Sequence, residues 1–356
     1  MSAVTRKRAR QDAAADQEVS KRKRSDTAEP DDNTSTVTAD IQTTRDVEFW
    51  LDDGTAIITA RDVEFRVYKG VLATHSPFFK DLLAQSHATR TVSLDAAQQI
   101  SCPVVKVDDS PEDLRHILRA YMPRTDARIF DAKDPSFDII SASIRLGRKY
   151  GIAPLVEQSL AFLKSHYTDS YDTWTSQTSY VPEGWNLLES IGVLNLARLT
   201  GESSILPTAL LVCTQMGPAV VRGFRREDGT LETLPLDDLA LYFEAKTEIR
   251  KATLKAMLHT LAPVVAATCK APATCQNVLR EAVLGLCAYV DNLIDDDPFG
   301  NSFEQYVKGG KLAVCGACLV AVQEREDSEL RKMWSRLPEI MGVTVPGWGQ
   351  PAAQGG

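Results

Sequence analysis

Four of the seven cysteines hold the densest store of chemistry in this chain. Cys315-Gly316-Ala317-Cys318 is a C-x-x-C, and Cys269 and Cys275 offer two further thiols. Four thiolates are the donor set of a tetrahedral structural zinc site. The spacing argues against it: Cys269 and Cys275 stand wider apart than a usual ligand pair, the gap to Cys315 is long, and no His follows in a ligand pattern. A redox C-x-x-C would sit beside a βαβ pattern, which is missing here. The third reading is that all four are small apolar helix residues, the ordinary state of a free cysteine. Packing is the reading the spacing favours. Cys102, Cys213 and Cys287 fall in apolar strand or helix patterns and read as core. An odd count without a disulfide framework points to a reducing, intracellular compartment.

The other reactive residue types offer less. Asp52-Asp53, Asp108-Asp109, Asp237-Asp238 and Asp295 to Asp297 all lie at turns or helix starts. There, carboxylates cap helices or face water. In "HSPFF", His75 to Phe79, Ser76 reads as an N-cap with Pro77 at the first helical position. The glycine pattern of a nucleophile elbow is absent around it. The chain has no phosphate loop, dinucleotide fingerprint or H-E-x-x-H helix, and an enzyme is not expected.

These residues need a scaffold, and the chain divides into four parts. Residues 1–43 are polar and charged, with almost no large apolar side chains, so they cannot offset their ordering entropy and read as a disordered tail. Two basic clusters punctuate this tail. Arg6, Lys7, Arg8 and Arg10 form the first, and Lys21, Arg22, Lys23 and Arg24 the second, with Gln11 to Ser20 between them. The pair resembles a bipartite nuclear-import signal, whose cations pair with carboxylates of an acidic groove. Residues 44–168 begin with strand patterns, among them Ile57-Ile58 and the alternating Phe65 and Val67, and a hairpin-type turn signal at Asp52-Asp53-Gly54. Phe78, Leu82 and Leu83 are expected to point inward from the following helix. "SPEDLRHILRAYM" opens with an S-x-x-D capping box, Ser110 to Asp113. After a polar loop from Pro123 to Asp134 come two helices, separated at Gly151. This is a small α+β domain with helices covering a short sheet. Residues 169–348 carry apolar residues at helical spacing and read as an all-α domain. Residues 349–356 read as frayed.

In "DGTAIITARDVEFRVYKGVLATHSPFFKDLL" this middle part resembles the BTB/POZ domain. Asp53, Phe65, Val67, Val71, Leu72, Ala73, Ser76 and Phe79 fill the family's places. "CPVVKVDDSPEDLRHILRAYM" is similar to its next strand and helix. Gly147, Lys149, Tyr150, Ile152 and Leu155 are similar to its closing helical pair. With the basic tail, the "FWLDDG" opening and an ending at Trp334, Leu337, Pro338, Gly347 and Trp348, the layout resembles the fungal BTB proteins. The resemblance implies a charged pocket near a dimer surface at Asp53, Tyr68 and Lys69. Tyr68 stands where many animal members carry His. It also implies an adaptor that forms BTB homo- or heterodimers, in transcriptional complexes or as substrate adaptor of a cullin-type ubiquitin ligase. A nuclear setting, with the cytoplasm as a second one, follows from the tail. Alternatives from other classes are a zinc-stabilised helical module that binds a ligand or peptide, and an unrecognised enzyme.

The bulk numbers agree with this layout. The chain has 356 residues, 44% of them hydrophobic and 25% charged, enough for two domains of ordinary size. A net charge of −8 does not suit a general nucleic-acid binder. No apolar run is long enough for a membrane span, and the charged N-terminus lacks the apolar stretch of a signal peptide.

Overall fold

β-branched and aromatic runs in the first third of the chain assemble a five-stranded sheet. The computed structural model describes residues 43–93, 98–122, 134–289, 298–300, 303–307 and 310–349. Both basic clusters, most of the loop after Pro123, Asp295 to Asp297 and the residues beyond 349 lie outside the described residues. Strands β1 (Thr44–Trp50), β2 (Ala56–Ala60), β3 (Val63–Val67), β4 (Thr89–Ser93) and β5 (Gln99–Val107) lie in the order β1-β3-β2-β5-β4. The β2–β3 and β4–β5 pairs are antiparallel, while β1–β3 and β2–β5 are parallel.

This order corrects one expectation. Asp52-Asp53-Gly54 does turn the chain, but it does not close a hairpin, because β1 crosses over to pair with β3. The hairpin is β2–β3, turned at Arg61, whose φ of 51° is left-handed. Gly54 is required where it stands: a Cβ there would meet Arg66 Cγ at 2.8 Å. Arg66 Nε donates to Gly54 O at 3.0 Å. A register irregularity in β1 turns Val47 fully outward, and the buried Asp46 carboxylate fixes it by accepting from the N–H groups of Glu48 and Phe49.

Helices α1 (Lys69–His75), α2 (Pro77–Ala84), α3 (Pro111–Tyr121), α4 (Phe137–Tyr150) and α5 (Ala153–His166) cover the sheet. The first core joins Phe49, Ile58, Phe65, Val67, Phe79, Leu114, Ile117 and Tyr150, all essentially inaccessible. Across the sheet, Glu64 and Arg66 are buried too, so β3 is covered on both faces and not half-exposed as its alternation suggests. The Glu64 carboxylate, held by a bidentate Arg90 fork at 2.6 and 2.9 Å, sits below the usual carboxylate range.

Two further expectations are corrected. In α2 the inward pair is Phe79 and Leu83, one turn apart, while Phe78 is 39% exposed and Leu82 lies on the flank. The face that meets the core is set by Tyr150, whose ring lies 4.5 Å from Phe79. In α3, Ser110 caps as expected, accepting from Asp113 N–H at 3.0 Å. The Asp113 carboxylate does not complete a reciprocal box. It accepts two bonds from Arg226 Nη2, at 2.6 and 2.7 Å.

Beyond residue 168 the chain is helical: α6 (Tyr171–Ser176), α7 (Glu189–Thr200), α8 (Leu206–Thr214), α9 (Ala219–Arg222), α10 (Leu236–Thr260), α11 (Pro272–Gly285), α12 (Gly316–Ser335) and α13 (Leu337–Ile340). Among the described residues one short hairpin interrupts it, β6 (Phe224–Arg225) with β7 (Leu231–Glu232). The second core is large, and it reaches back across residue 168. Phe137, Ile140 and Ile144 of α4 and Leu163 of α5 belong to it, together with Tyr167 and the buried faces of α7, α8, α10 and α12. Helix α4 therefore serves both cores: Leu146 and Tyr150 belong to the first. The residues from Gln42 onward cluster as one compact unit.

The Trp–Leu–Pro ending is a packing device. Trp334 is ringed by Tyr171, Trp174, Phe299 and Trp348 at 5.2–5.9 Å. Its Nε1 donates to Asp169 O, and Trp348 Nε1 donates to Trp334 O.

Candidate interaction surface and cysteine cluster

The family-like residues fall into one corner. Ser76 Oγ accepts from Phe79 N–H at 3.1 Å and donates to Tyr150 O at 2.7 Å, so the α2 cap is also the lock onto the end of α4. Tyr150 O–H donates to Asp109, which also receives Lys149 Nζ at 2.7 Å. Burial and this carboxylate neighbour push the Tyr150 hydroxyl far above its ordinary range, so it stays a donor. His75 stacks on Tyr121 at 4.2 Å. No described hydrogen bond joins His75 to Ser76, and the hydroxyl is engaged on both sides. The corner is built as a packing corner.

The expected pocket residues lie beside it. Tyr68 O–H donates to Asp53 Oδ1 at 2.6 Å. That bond, with the nearby charge, raises the Tyr68 hydroxyl above its usual range. Lys69 is tied in through its backbone, whose N–H donates to Thr55 Oγ1 at 2.9 Å. Asp53 and Lys69 are exposed and Tyr68 is half-buried. The large apolar side chains exposed in this half, among the described residues, are Val47 and Phe78. Residue-type reading missed Val47, because its outward turn depends on the Asp46 irregularity and not on the strand period.

The helical region grips a different side. Its described polar links reach Arg61, α3, the segment before α4, and α4 and α5 themselves. Arg226 meets Asp113, Glu227 Oε2 lies 2.9 Å from His116 Nε2, Arg145 pairs with Glu232 at 2.8 Å, and Arg61 lies 3.6 Å from Asp228. None of these links goes to Asp53, Tyr68, α1 or α2.

The four cysteines singled out by type do come together. Cys269 lies in the loop after α10, Cys275 in the first turn of α11, Cys315 at the N-cap of α12 and Cys318 in its first turn. Their sulfurs all lie within 4.8 Å of one another, and Cys315 Sγ is 3.7 Å from Cys269 Sγ. Cys275 and Cys318 are buried; Cys269 and Cys315 are half-buried. Of the cysteines expected in the core, Cys102 and Cys213 are buried, whereas Cys287 is exposed, a correction that follows from its place in a 3₁₀ turn after α11 (Gly285) that buries Leu286 instead. No helix among the described residues is long and apolar enough to cross a membrane.

The comparisons agree with the geometry of the first corner. No curated protein matches this chain. A family model does match, that of the BTB/POZ domain, over residues 51–167. That span holds β2 to β5, α1 to α5, the Ser76–Tyr150 lock and the hydrogen-bonded Asp53–Tyr68 pair, and residues 51–167 of this chain are a BTB/POZ domain, a protein-interaction module followed by a helical C-terminal region.

Proposed function

We propose that the chain is a non-enzymatic adaptor whose BTB/POZ domain pairs with a second copy, or with another BTB domain, while the helical region holds a client protein. The observation that carries this reading is the division of surfaces. The helical region occupies α3, α4 and α5, and leaves Val47, Phe78 and the Asp53–Tyr68 pair open to a partner. Exposed aromatic and β-branched side chains beside a polar rim are the composition of an interaction site. In the full-length chain, Phe78→Asp should weaken self-association at least about tenfold, the effect of about 1.4 kcal/mol. Circular dichroism of the variant separates this loss from unfolding, because the Phe78 ring, 39% exposed, also lies 5.1 Å from that of Tyr150. Sedimentation velocity of both proteins checks it. Equal association of the two would remove α2 from the interface.

The setting is read from the tail. Arg6 to Arg10 and Lys21 to Arg24 support nuclear import, which favours work in transcriptional complexes over a cullin-type ligase, the second setting. A fluorescent fusion with both clusters changed to alanine should lose its nuclear accumulation. Unchanged accumulation would sink the import reading.

A further inference from the structure

We infer that Cys269, Cys275, Cys315 and Cys318 hold one structural zinc ion that ties the loop after α10 and the start of α11 to the start of α12. Four sulfurs around zinc at about 2.3 Å stand about 3.8 Å apart. The Cys315–Cys269 separation is 3.7 Å, and the widest of the set is within 4.8 Å. The four are therefore close enough to share one ion, in a chain where their sequence separations gave no such sign.

The surroundings are those of thiolates. Ala266 N–H donates to Cys318 Sγ at 3.4 Å, and Cys315 N–H donates to Cys275 Sγ at 3.3 Å. The Ala271 N–H bonds to Cys269, and the Cys318 N–H bonds to Cys315. Each sulfur thus receives a backbone donor, which stabilises the charged form. The start of the 20-residue helix α12 adds its positive end.

An independent observation lies two helix turns beyond Cys318. Arg325 of α12 donates through Nη1 to Ala262 O and Val264 O, while its Nε and Nη2 are buried without a hydrogen-bond partner. A half-buried guanidinium with two buried, under-bonded nitrogens, in electrostatic reach of Cys318, complements the double negative charge that four thiolates and one zinc leave. The closed set of four protein ligands leaves no position for a substrate, so the ion is structural. It fastens the base of the helical region, across the segment between α11 and α12, and so holds the client-bearing half in shape.

Full-length protein purified under reducing conditions should carry about one zinc per chain by elemental analysis. Replacing the zinc with Co²⁺ should give the visible bands and sulfur-to-metal charge transfer of a tetrahedral four-thiolate site. Removing the metal with a chelator should lower the melting temperature by about 10 °C or more. Cys315→Ser, at a half-buried position, should abolish the cobalt spectrum, whereas Cys287→Ser, at the exposed cysteine, should leave it intact. Cys269→Ser supplies a second variant if Cys315→Ser does not fold. Absence of zinc after refolding with excess metal, a cobalt spectrum that survives both Cys315→Ser and Cys269→Ser, or a disulfide among the four in reduced protein would each overturn the assignment.

Discussion

Asp113→Ala should destabilise the whole chain by about 3–5 kcal/mol, the cost of stranding a buried charge. Arg226 is 7% exposed at its side chain and Asp113 12%, and the carboxylate accepts two bonds from one guanidinium nitrogen. Burial alone would depress the Arg226 charge; the Asp113 carboxylate reverses this and holds the guanidinium above its ordinary range. Arg226 Nε already lacks a partner, so removal of Asp113 leaves little to compensate. Urea unfolding measures the loss. The double change Asp113→Leu with Arg226→Met should recover most of it, because an apolar pair of similar volume replaces a buried ion pair at little cost. If the single change costs less than about 1 kcal/mol, the range of an exposed pair, then the hairpin β6–β7 is not fastened to α3.

Phe137→Ala should cost about 3–5 kcal/mol, and it should weaken both halves together. The ring opens α4, meets Trp185 and Phe224 edge-on at 5.5 and 5.3 Å, and is 1% exposed. Gly192 in α7 exists to make room for it: a Cβ there would lie 2.2 Å from Phe137 Cζ. The same geometry says that a fragment ending at residue 168 should aggregate. Such a cut would bare Phe137, Ile140, Ile144, Leu163 and Tyr167, an apolar face that the BTB/POZ fold alone does not cover. Denaturation followed by probes in each half should give coincident transitions. Two separate transitions for the full chain would mean that the cores do not share α4.

Much of this was legible in residue types. Ser76-Pro77, Ser110-Pro111 and Gly151 marked their helix ends as the structure has them, because caps and left-handed turns are decided within a few residues. The BTB/POZ blocks were legible for the same reason: their side chains interlock at Ser76, Phe79 and Tyr150. What failed was non-local. The turn at Asp52 to Gly54 looks like a hairpin until β1 is seen to cross to β3. Asp113 looks like a cap until Arg226, 113 residues away, reaches it. Phe78 and Phe79 are alike in sequence, and only Tyr150 decides which is buried. The cysteines were found by type, but their convergence depends on how α10, α11 and α12 pack, which residue spacing does not encode.

The most direct test of the adaptor reading is the molar mass of the full-length chain in solution, by light scattering over a wide range of concentrations. The expected result is a mass near twice the 39.1 kDa of one chain, with Phe78→Asp shifting it toward the monomer. A single-chain mass at every concentration would contradict self-association through the BTB/POZ domain.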